Sequence, residues 1–175
     1  MPAARLAIVG SGDFSEYEAL AQGLGIREHV IFYGAEKKTP FPWLAAADLY
    51  VGASLFEGFP NALVEAMALG TPVISTNCMT GPAEILTADY EKTMGADGDL
   101  DGEYGILVAP LEPEENLDPG VVTDGERRLF WRWSGCLQRK GCGQATPRRQ
   151  GCGRRSLARR RTAGSFFRIC PPVCR

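Results

Sequence analysis

An α/β domain built on a parallel sheet is the fold class that the sequence predicts, and two observations predict it. Over the first 110 residues, short runs that are apolar on both faces alternate with segments of helical spacing. Gly or Pro stands at the boundaries of most of these segments, where strands and helices commonly end. Strands that are buried on both faces are typical of parallel sheets covered by helices. The pattern therefore predicts a Rossmann-like sheet flanked by helices, ending near Pro110.

The predicted elements follow one another in strict alternation. Five apolar runs predict strands: RLAIVG at 5–10, VIFYG at 30–34, DLYVGAS at 48–54, PVIST at 72–76 and YGILVAP at 104–110. Four segments between them predict helices: DFSEYEALAQGLG at 13–25, PFPWLAAA at 40–47, the stretch at 60–70, and GPAEIL at 81–86. Pro60 suits the first turn of the third helix, and Gly70 suits the position just past its end.

The chain changes in composition between residues 118 and 131. Residues 1–118 hold 5 Lys and Arg against 19 Asp and Glu, a net charge of −14, whereas residues 119–175 hold 14 against 2, a net charge of +12. We therefore predict a domain at 1–128, with an acidic linker from about residue 111, and a basic tail at 129–175 rich in Cys, Arg and Gly. Two interpretations of the tail stay open: a frameshifted reading of a GC-rich gene that forms no ordered structure, and a real basic tail.

Several function classes find little support in the composition. No run reaches the ~18 to 20 apolar residues of a membrane span, and Met1 precedes a strand-like run rather than a signal peptide, which favours a cytoplasmic location. The tail cysteines lack the close pairs of a zinc site, and the single His lies far from them, so no metal site is predicted. The Arg-rich run at 154–161 predicts a charged coil rather than a specific nucleic-acid site. DGDLDG at 97–102 begins like a calcium loop but lacks its closing Glu, and an exposed acidic loop is predicted.

The segment LFEGFPNALVEAMALGTPVIST carries two carboxylates, Glu57 and Glu65, eight residues apart in an otherwise apolar stretch. In open parallel sheets, ligands bind at the carboxyl ends of the strands, where loops run into helix N-termini. We expect the free N–H groups of Asn61, Ala62 and Leu63 to point into that crevice. They would form an anion site for a phosphate or a diphosphate.

The two carboxylates suit hydroxyl groups better than phosphates. A Glu beside a diphosphate would be repelled by it, whereas carboxylates are good acceptors from paired hydroxyls. A nucleotide sugar offers such pairs on both sides of its diphosphate. We therefore predict Glu57 on the sugar side and Glu65 on the ribose side, with Gly58 allowing the backbone to approach the ligand closely.

A second glycine-containing turn, GSGDFS, follows the first predicted strand. It begins like a dinucleotide fingerprint, but Ser15 stands where a third Gly is required. We interpret Gly10 and Gly12 as part of a tight strand-to-helix turn that lines the cleft.

The motif EGFPNALVEAMALGTPVIST, followed by GPAEIL and YGILV, resembles the C-terminal, donor-binding domain of GT-B glycosyltransferases of family 4. This retaining group is marked by two glutamates with seven residues between them, and the resemblance runs from about Arg5 to about Asp118. It implies that Glu57, the candidate catalytic residue, bonds hydroxyls of the donor sugar, and that Glu65 bonds the ribose hydroxyls. The further donor-binding positions that it implies are Gly58, Phe59, Pro60, Asn61, Ala62 and Leu63 against the diphosphate and sugar, and Tyr33 and Gly34 beside the base.

The resemblance implies a hexosyltransferase that moves a sugar from a nucleoside-diphosphate sugar, such as a UDP-sugar, to an acceptor hydroxyl with retention and without a metal cofactor. In that family an N-terminal domain binds the acceptor, a glycan or a lipid-linked sugar, and the full enzyme serves polysaccharide synthesis, in some cases at the inner face of the membrane. The resemblance implies that the sequence begins at the first strand of the second domain, so we expect this chain alone to be inactive. An inactive nucleotide-sugar-binding fragment and an interaction protein whose basic tail binds polyanions are the alternatives.

Overall fold

A single seven-stranded sheet forms the centre of the described structure. The computed structural model describes residues 4–35, 39–78, 80–93, 98–114, 116–138 and 166–170. Its strands are β1 (Arg5–Val9), β2 (Val30–Gly34), β3 (Leu49–Gly52), β4 (Val73–Thr76), β5 (Leu100–Asp101), β6 (Ile106–Val108) and β7 (Phe166–Cys170). They lie in the order β2-β1-β7-β3-β4-β6-β5, and every neighbouring pair is parallel except β5 with β6. The predicted parallel sheet is thus confirmed.

Helices connect the strands, as the alternating pattern predicts. They are α1 (Ser15–Gly23), α2 (Phe41–Ala46), α3 (Asn61–Ala68), α4 (Pro82–Leu86), α5 (Tyr90–Thr93) and α6 (Asp124–Gln138), with a 3-10 turn at Arg27–His29. All five predicted strands and all four predicted helices are present within a few residues of their expected bounds. The turn at Arg27–His29 and the elements α5, β5, α6 and β7 were not predicted. None of the helices in the described part of the chain is long and apolar enough to cross a membrane.

The core lies on both faces of the sheet, because successive residues of each strand point to opposite sides. In β3, Leu49 and Val51 belong to one buried cluster, and Tyr50 between them belongs to the other. The Tyr50 cluster packs under α2, α3 and α4, and its Leu63 is wholly buried. Full burial of one such Leu stabilises the fold by about 1.5 to 3 kcal/mol, so α3 is held firmly against the sheet.

Helix α3 ends as predicted, at Gly70. This residue has a φ of +75°, and its N–H donates to the Met67 carbonyl. The next N–H, of Thr71, donates to the Ala66 carbonyl, which completes a Schellman motif. The Thr71 hydroxyl then donates to the Leu44 carbonyl at 2.7 Å and ties the end of α3 to α2.

The predicted domain boundary at Arg128 falls inside α6, which runs from Asp124 to Gln138. The helix begins with a capping box: the Thr123 N–H donates to the Glu126 carboxylate at 2.8 Å, and the Glu126 N–H donates to the Thr123 hydroxyl at 3.3 Å. Beyond residue 128 the helix packs through Trp133 and Cys136 on the buried cluster that contains Leu49 and Val51.

Two carboxylates of the predicted acidic loop at 97–102 form ion pairs with α6. Arg132 forms ion pairs with Asp99, at 3.7 Å, and with Asp101. Asp99 in addition accepts a hydrogen bond from the Ala109 N–H at 3.2 Å. Part of this segment therefore has a structural role, since its carboxylates join β5 and β6 to α6.

Within the predicted tail, the structure describes one strand at residues 166–170. They form β7, which occupies a central position in the sheet, parallel to both β1 and β3. The predictions about the Arg-rich run at 154–161 and about Cys142, Cys152 and Cys174 concern residues outside the described ranges. The frameshift interpretation is not tested by these contacts and stays a prediction.

We expect Trp133→Ala to lower the free energy of unfolding by about 1 to 3 kcal/mol, because the half-buried indole packs on the buried cluster that contains Leu49 and Val51. Trp131→Ala is the matched control, since both indoles contact Phe130 but Trp131 is 71% exposed. Its effect should stay within about 0.5 kcal/mol. Urea denaturation of the two variants measures the difference, and equal losses would contradict the packing of α6.

Candidate functional site

The candidate site is formed where β1, β2 and β3 end, because the carboxyl ends of parallel strands lie at one edge of a sheet. Gly10 follows β1, and its N–H donates to the carbonyl of Gly34 at the end of β2, at 2.9 Å. Gly34 has a φ of +79°, a left-handed conformation that favours glycine. This bond brings the predicted residues Gly10 and Gly34 together, and Gly12 lies in the same turn between β1 and α1.

An aromatic pair stands beside this turn. Tyr33 is 47% exposed, and its ring centroid lies 4.6 Å from that of Trp43, with the two planes at 57°. Tyr33 is one of the predicted base-binding residues, whereas Trp43 had no predicted role. The pair offers an apolar surface on which a planar ring could stack.

Glu57 lies in the loop between β3 and α3, and three hydroxyl groups hold this loop. The Ser54 hydroxyl donates to the Glu57 carboxylate at 2.6 Å. The Thr76 hydroxyl donates to the Ser54 carbonyl at 2.5 Å, and the Thr80 hydroxyl donates to the Glu57 carbonyl at 2.5 Å. Neither the side chain nor the backbone of Glu57 is therefore free to move independently of its neighbours.

The loop after β4 packs directly on the Glu57 loop at Gly81. This glycine has a φ of +88°, and a Cβ atom placed on it would lie 2.6 Å from Pro60 Cδ and 2.9 Å from the Gly58 carbonyl oxygen. Only a residue without a side chain allows so close an approach. The two loops therefore form one surface beside the start of α3.

The N-terminus of α3 differs from the prediction. Pro60 precedes the helix as its N-cap residue, and α3 begins at Asn61. The Asn61 N–H donates to the Phe59 carbonyl at 2.9 Å, and the Leu63 N–H donates to the Pro60 carbonyl at 3.0 Å. The prediction of three free N–H groups is therefore wrong for Asn61 and Leu63. Of the three predicted N–H groups, only that of Ala62 has no backbone partner among the described residues.

The second glutamate, Glu65, lies on the second turn of α3 and is partly buried. Its carboxylate has no hydrogen-bond partner among the described residues. Phe59 is 60% exposed, and Gly58 and Asn61 are also exposed, so this surface between the glutamates is open to a ligand. Leu63 instead turns its side chain wholly into the core.

The Cys78 thiol lies near Glu57 and is buried. Burial raises the pKa of the Cys78 thiol, and the negative charge of Glu57 raises it further. The thiol therefore stays protonated near neutral pH, which makes Cys78 a packing residue rather than a nucleophile.

The predicted site residues fall into two groups on the same edge of the sheet. β2 and β3 are separated by β1 and β7, so the Tyr33 group and the Glu57 group lie three strand spacings apart, roughly 14 Å. An elongated ligand could contact both groups at once. Among the described residues, no group of three or more His, Cys, Asp and Glu side chains could hold a metal ion.

Residues 1–118 match the family model described as glycosyl transferases group 1. The chain belongs to this family. The matched region contains β1 to β6 and both glutamates, and it excludes α6 and β7.

Curated relatives match about two thirds or more of the chain. An uncharacterized glycosyltransferase of Methanocaldococcus jannaschii is 39% identical over 132 residues, which are 73% of this chain and 32% of that protein. The lipopolysaccharide 1,6-galactosyltransferase of Escherichia coli is 34% identical over 121 residues, 65% of this chain and 33% of that protein. The chain thus spans about a third of the length of these relatives.

Solved structures share the fold. WaaG, a glycosyltransferase involved in lipopolysaccharide biosynthesis, matches with a TM-score of 0.55 and 25% identity, over 81% of this chain and 31% of that one. HepE of Anabaena, solved in complex with UDP, matches with a TM-score of 0.55 and 24% identity, over 83% and 34%. The likeness confirms the predicted fold class, a parallel α/β sheet of the GT-B type.

We expect Gly81→Ala to destabilise the protein more than Gly70→Ala. Both glycines have positive φ angles, which cost an alanine about 1 to 2 kcal/mol. A Cβ at Gly70 meets no atom within 4 Å, whereas one at Gly81 overlaps Pro60 and the Gly58 carbonyl. Urea denaturation of both variants isolates the cost of separating the two loops. Equal losses would show that the loops are not in contact in solution.

Proposed function

We propose that this chain binds a nucleoside-diphosphate sugar and is the donor-binding part of a retaining, family 4 hexosyltransferase. The observation that carries the proposal is the placement of Glu57 and Glu65 on either side of the exposed start of α3. One carboxylate is held by a hydroxyl, and the other has no hydrogen-bond partner among the described residues. This arrangement suits a ligand that has hydroxyl groups at both ends and an anion between them.

Each part of the ligand has a proposed partner. Glu57 accepts hydrogen bonds from hydroxyls of the transferred sugar, and Glu65 accepts them from the ribose. The diphosphate lies against the backbone of Gly58 and the N–H of Ala62, where the positive end of α3 favours an anion. The base lies against Tyr33 at the end of β2. The three strand spacings between Tyr33 and Glu57 are a distance that an extended nucleotide sugar can span.

In the proposed reaction, the bond between the sugar and the diphosphate breaks, the acceptor oxygen bonds to the anomeric carbon on the same face, and the proton of the acceptor hydroxyl passes to the departing diphosphate. A double displacement would require a carboxylate that attacks the anomeric carbon. Because Glu57 is already engaged by Ser54 and is assigned to sugar hydroxyls, front-face attack without a covalent enzyme intermediate is the route we propose. The helix dipole of α3 stabilises the charge that develops on the departing diphosphate. No metal ion is part of this proposal.

The proposal extends to the whole protein through the relatives. The Escherichia coli relative is named as a lipopolysaccharide 1,6-galactosyltransferase, which supports a role in polysaccharide synthesis, with an acceptor glycan or lipid-linked sugar as the second substrate. We place the acceptor site outside this chain and the full enzyme in the cytoplasm, at the inner face of the membrane. A module that binds the donor without turnover is the second candidate, since the chain spans about a third of its relatives.

Two ligands separate the roles of the glutamates, because UDP has the ribose but lacks the transferred sugar. Glu65→Ala should weaken UDP and UDP-galactose alike, by about 1 to 3 kcal/mol, since each loses hydrogen bonds to a charged group. Glu57→Ala should weaken only UDP-galactose. Isothermal titration calorimetry measures both affinities, and Glu16→Ala, an exposed change on α1, is the control. Loss of both ligands in the Glu57 variant, or no loss in the Glu65 variant, would contradict the assignment.

A further inference from the structure

Three hydroxyl groups donate hydrogen bonds to Glu57 or to the backbone of its loop. Thr76 is wholly buried at the end of β4 and donates to the Ser54 carbonyl, and Ser54, 5% exposed, donates to the Glu57 carboxylate. Thr80 belongs to the loop after β4 and donates to the Glu57 carbonyl. Every hydroxyl in this set is a donor, and both bonds that reach Glu57 come from outside α3.

We propose that Ser54 and Thr80 are positioning residues that direct the Glu57 carboxylate toward the transferred sugar and so set how tightly the sugar is held. This inference rests on the proposed function, because it requires Glu57 to face the sugar. The two hydroxyls are assigned different parts of the task.

Ser54 fixes the carboxylate itself. A serine hydroxyl has one proton to donate, and here it is given to Glu57 Oε1 at 2.6 Å, the length of a charge-assisted O–H···O⁻ bond. Oε1 is thereby committed to one donor, and Oε2 is left as the main acceptor for a sugar hydroxyl. A glutamate side chain without this bond would sample several rotamers, and ordering it would cost binding free energy.

Thr80 fixes the backbone from which that side chain extends. The Thr80 side chain is exposed, so water could satisfy its hydroxyl, yet the hydroxyl lies 2.5 Å from the Glu57 carbonyl on the other loop. The close approach of Gly81 to Pro60 brings the loops within reach of this bond. Because Thr80 is outside the core, its substitution tests position without removing buried apolar contacts.

The test compares UDP with UDP-galactose or UDP-glucose, whichever binds the wild-type chain more tightly, by calorimetry on the full chain. We expect Thr80→Val and Ser54→Ala to weaken the sugar nucleotide about three- to tenfold while leaving UDP unchanged, the effect of losing one hydrogen bond. Thr80→Ser keeps the hydroxyl and should bind both ligands as the wild-type chain does. Melting temperatures recorded in parallel reveal any loss of folding.

One result would overturn this inference and leave the proposed function intact. In it, the wild-type chain binds the sugar nucleotide more tightly than UDP, and the Thr80→Val and Ser54→Ala variants keep the same preference. Equal weakening of both ligands would also overturn it, because that is the effect of a merely structural role. So would Thr80→Ser binding like Thr80→Val. A wild-type chain that binds neither ligand would instead overturn the proposed function, and this inference with it.

Discussion

The contact between the loop after β3 and the loop after β4 is the constraint on which the candidate site depends. Gly81 lies against Pro60 and the Gly58 carbonyl, and the Thr80 hydroxyl reaches across to Glu57. Without this contact, the loop that carries Glu57 would be held only by the hydrogen bonds of Ser54 and Thr76. With it, Glu57 and the start of α3 have fixed positions relative to β4 and its following helix.

The fold makes this contact possible by placing β3 and β4 side by side and parallel. Tyr50 pairs with Val73 and Gly52 pairs with Ser75, so both strands end at the same level of the sheet. α3 connects them and is held by the buried side chain of Leu63. The apolar residues of the motif therefore provide the scaffold, while Glu57 and Glu65 remain at the surface of the edge where parallel sheets bind ligands.

Much of the fold could be predicted from the sequence because its signals are local. Apolar runs bounded by Gly or Pro predicted five strands, and Gly70 marked the end of α3. The hydroxyl contacts could not be predicted in this way, since Thr76 and Ser54 are 22 residues apart and meet only in the folded sheet. The three free N–H groups were wrongly predicted because Pro60 stands outside the helix, and the tight turn beside it uses two of them.

Beyond residue 128 the structure contains the second half of α6 and β7, which the basic composition of this region did not predict. The Thr123–Glu126 capping box and the apolar spacing of Leu129, Trp133 and Cys136 both indicate α6, although the surrounding residues are basic. β7 could not be inferred locally, because it pairs with β1 and β3, which lie more than 100 residues earlier in the chain.

The central claim is that one nucleotide spans the edge of the sheet from the end of β2 to the start of α3. Titration of the ¹⁵N-labelled chain with UDP, followed by amide chemical shifts, tests it most directly. The account predicts saturable shifts at Gly10, Gly34, Gly58, Ala62 and Glu65, with no change at Asp101 or Trp131. Shifts confined to α6, or the absence of saturable shifts at Ala62 and Glu65, would contradict it.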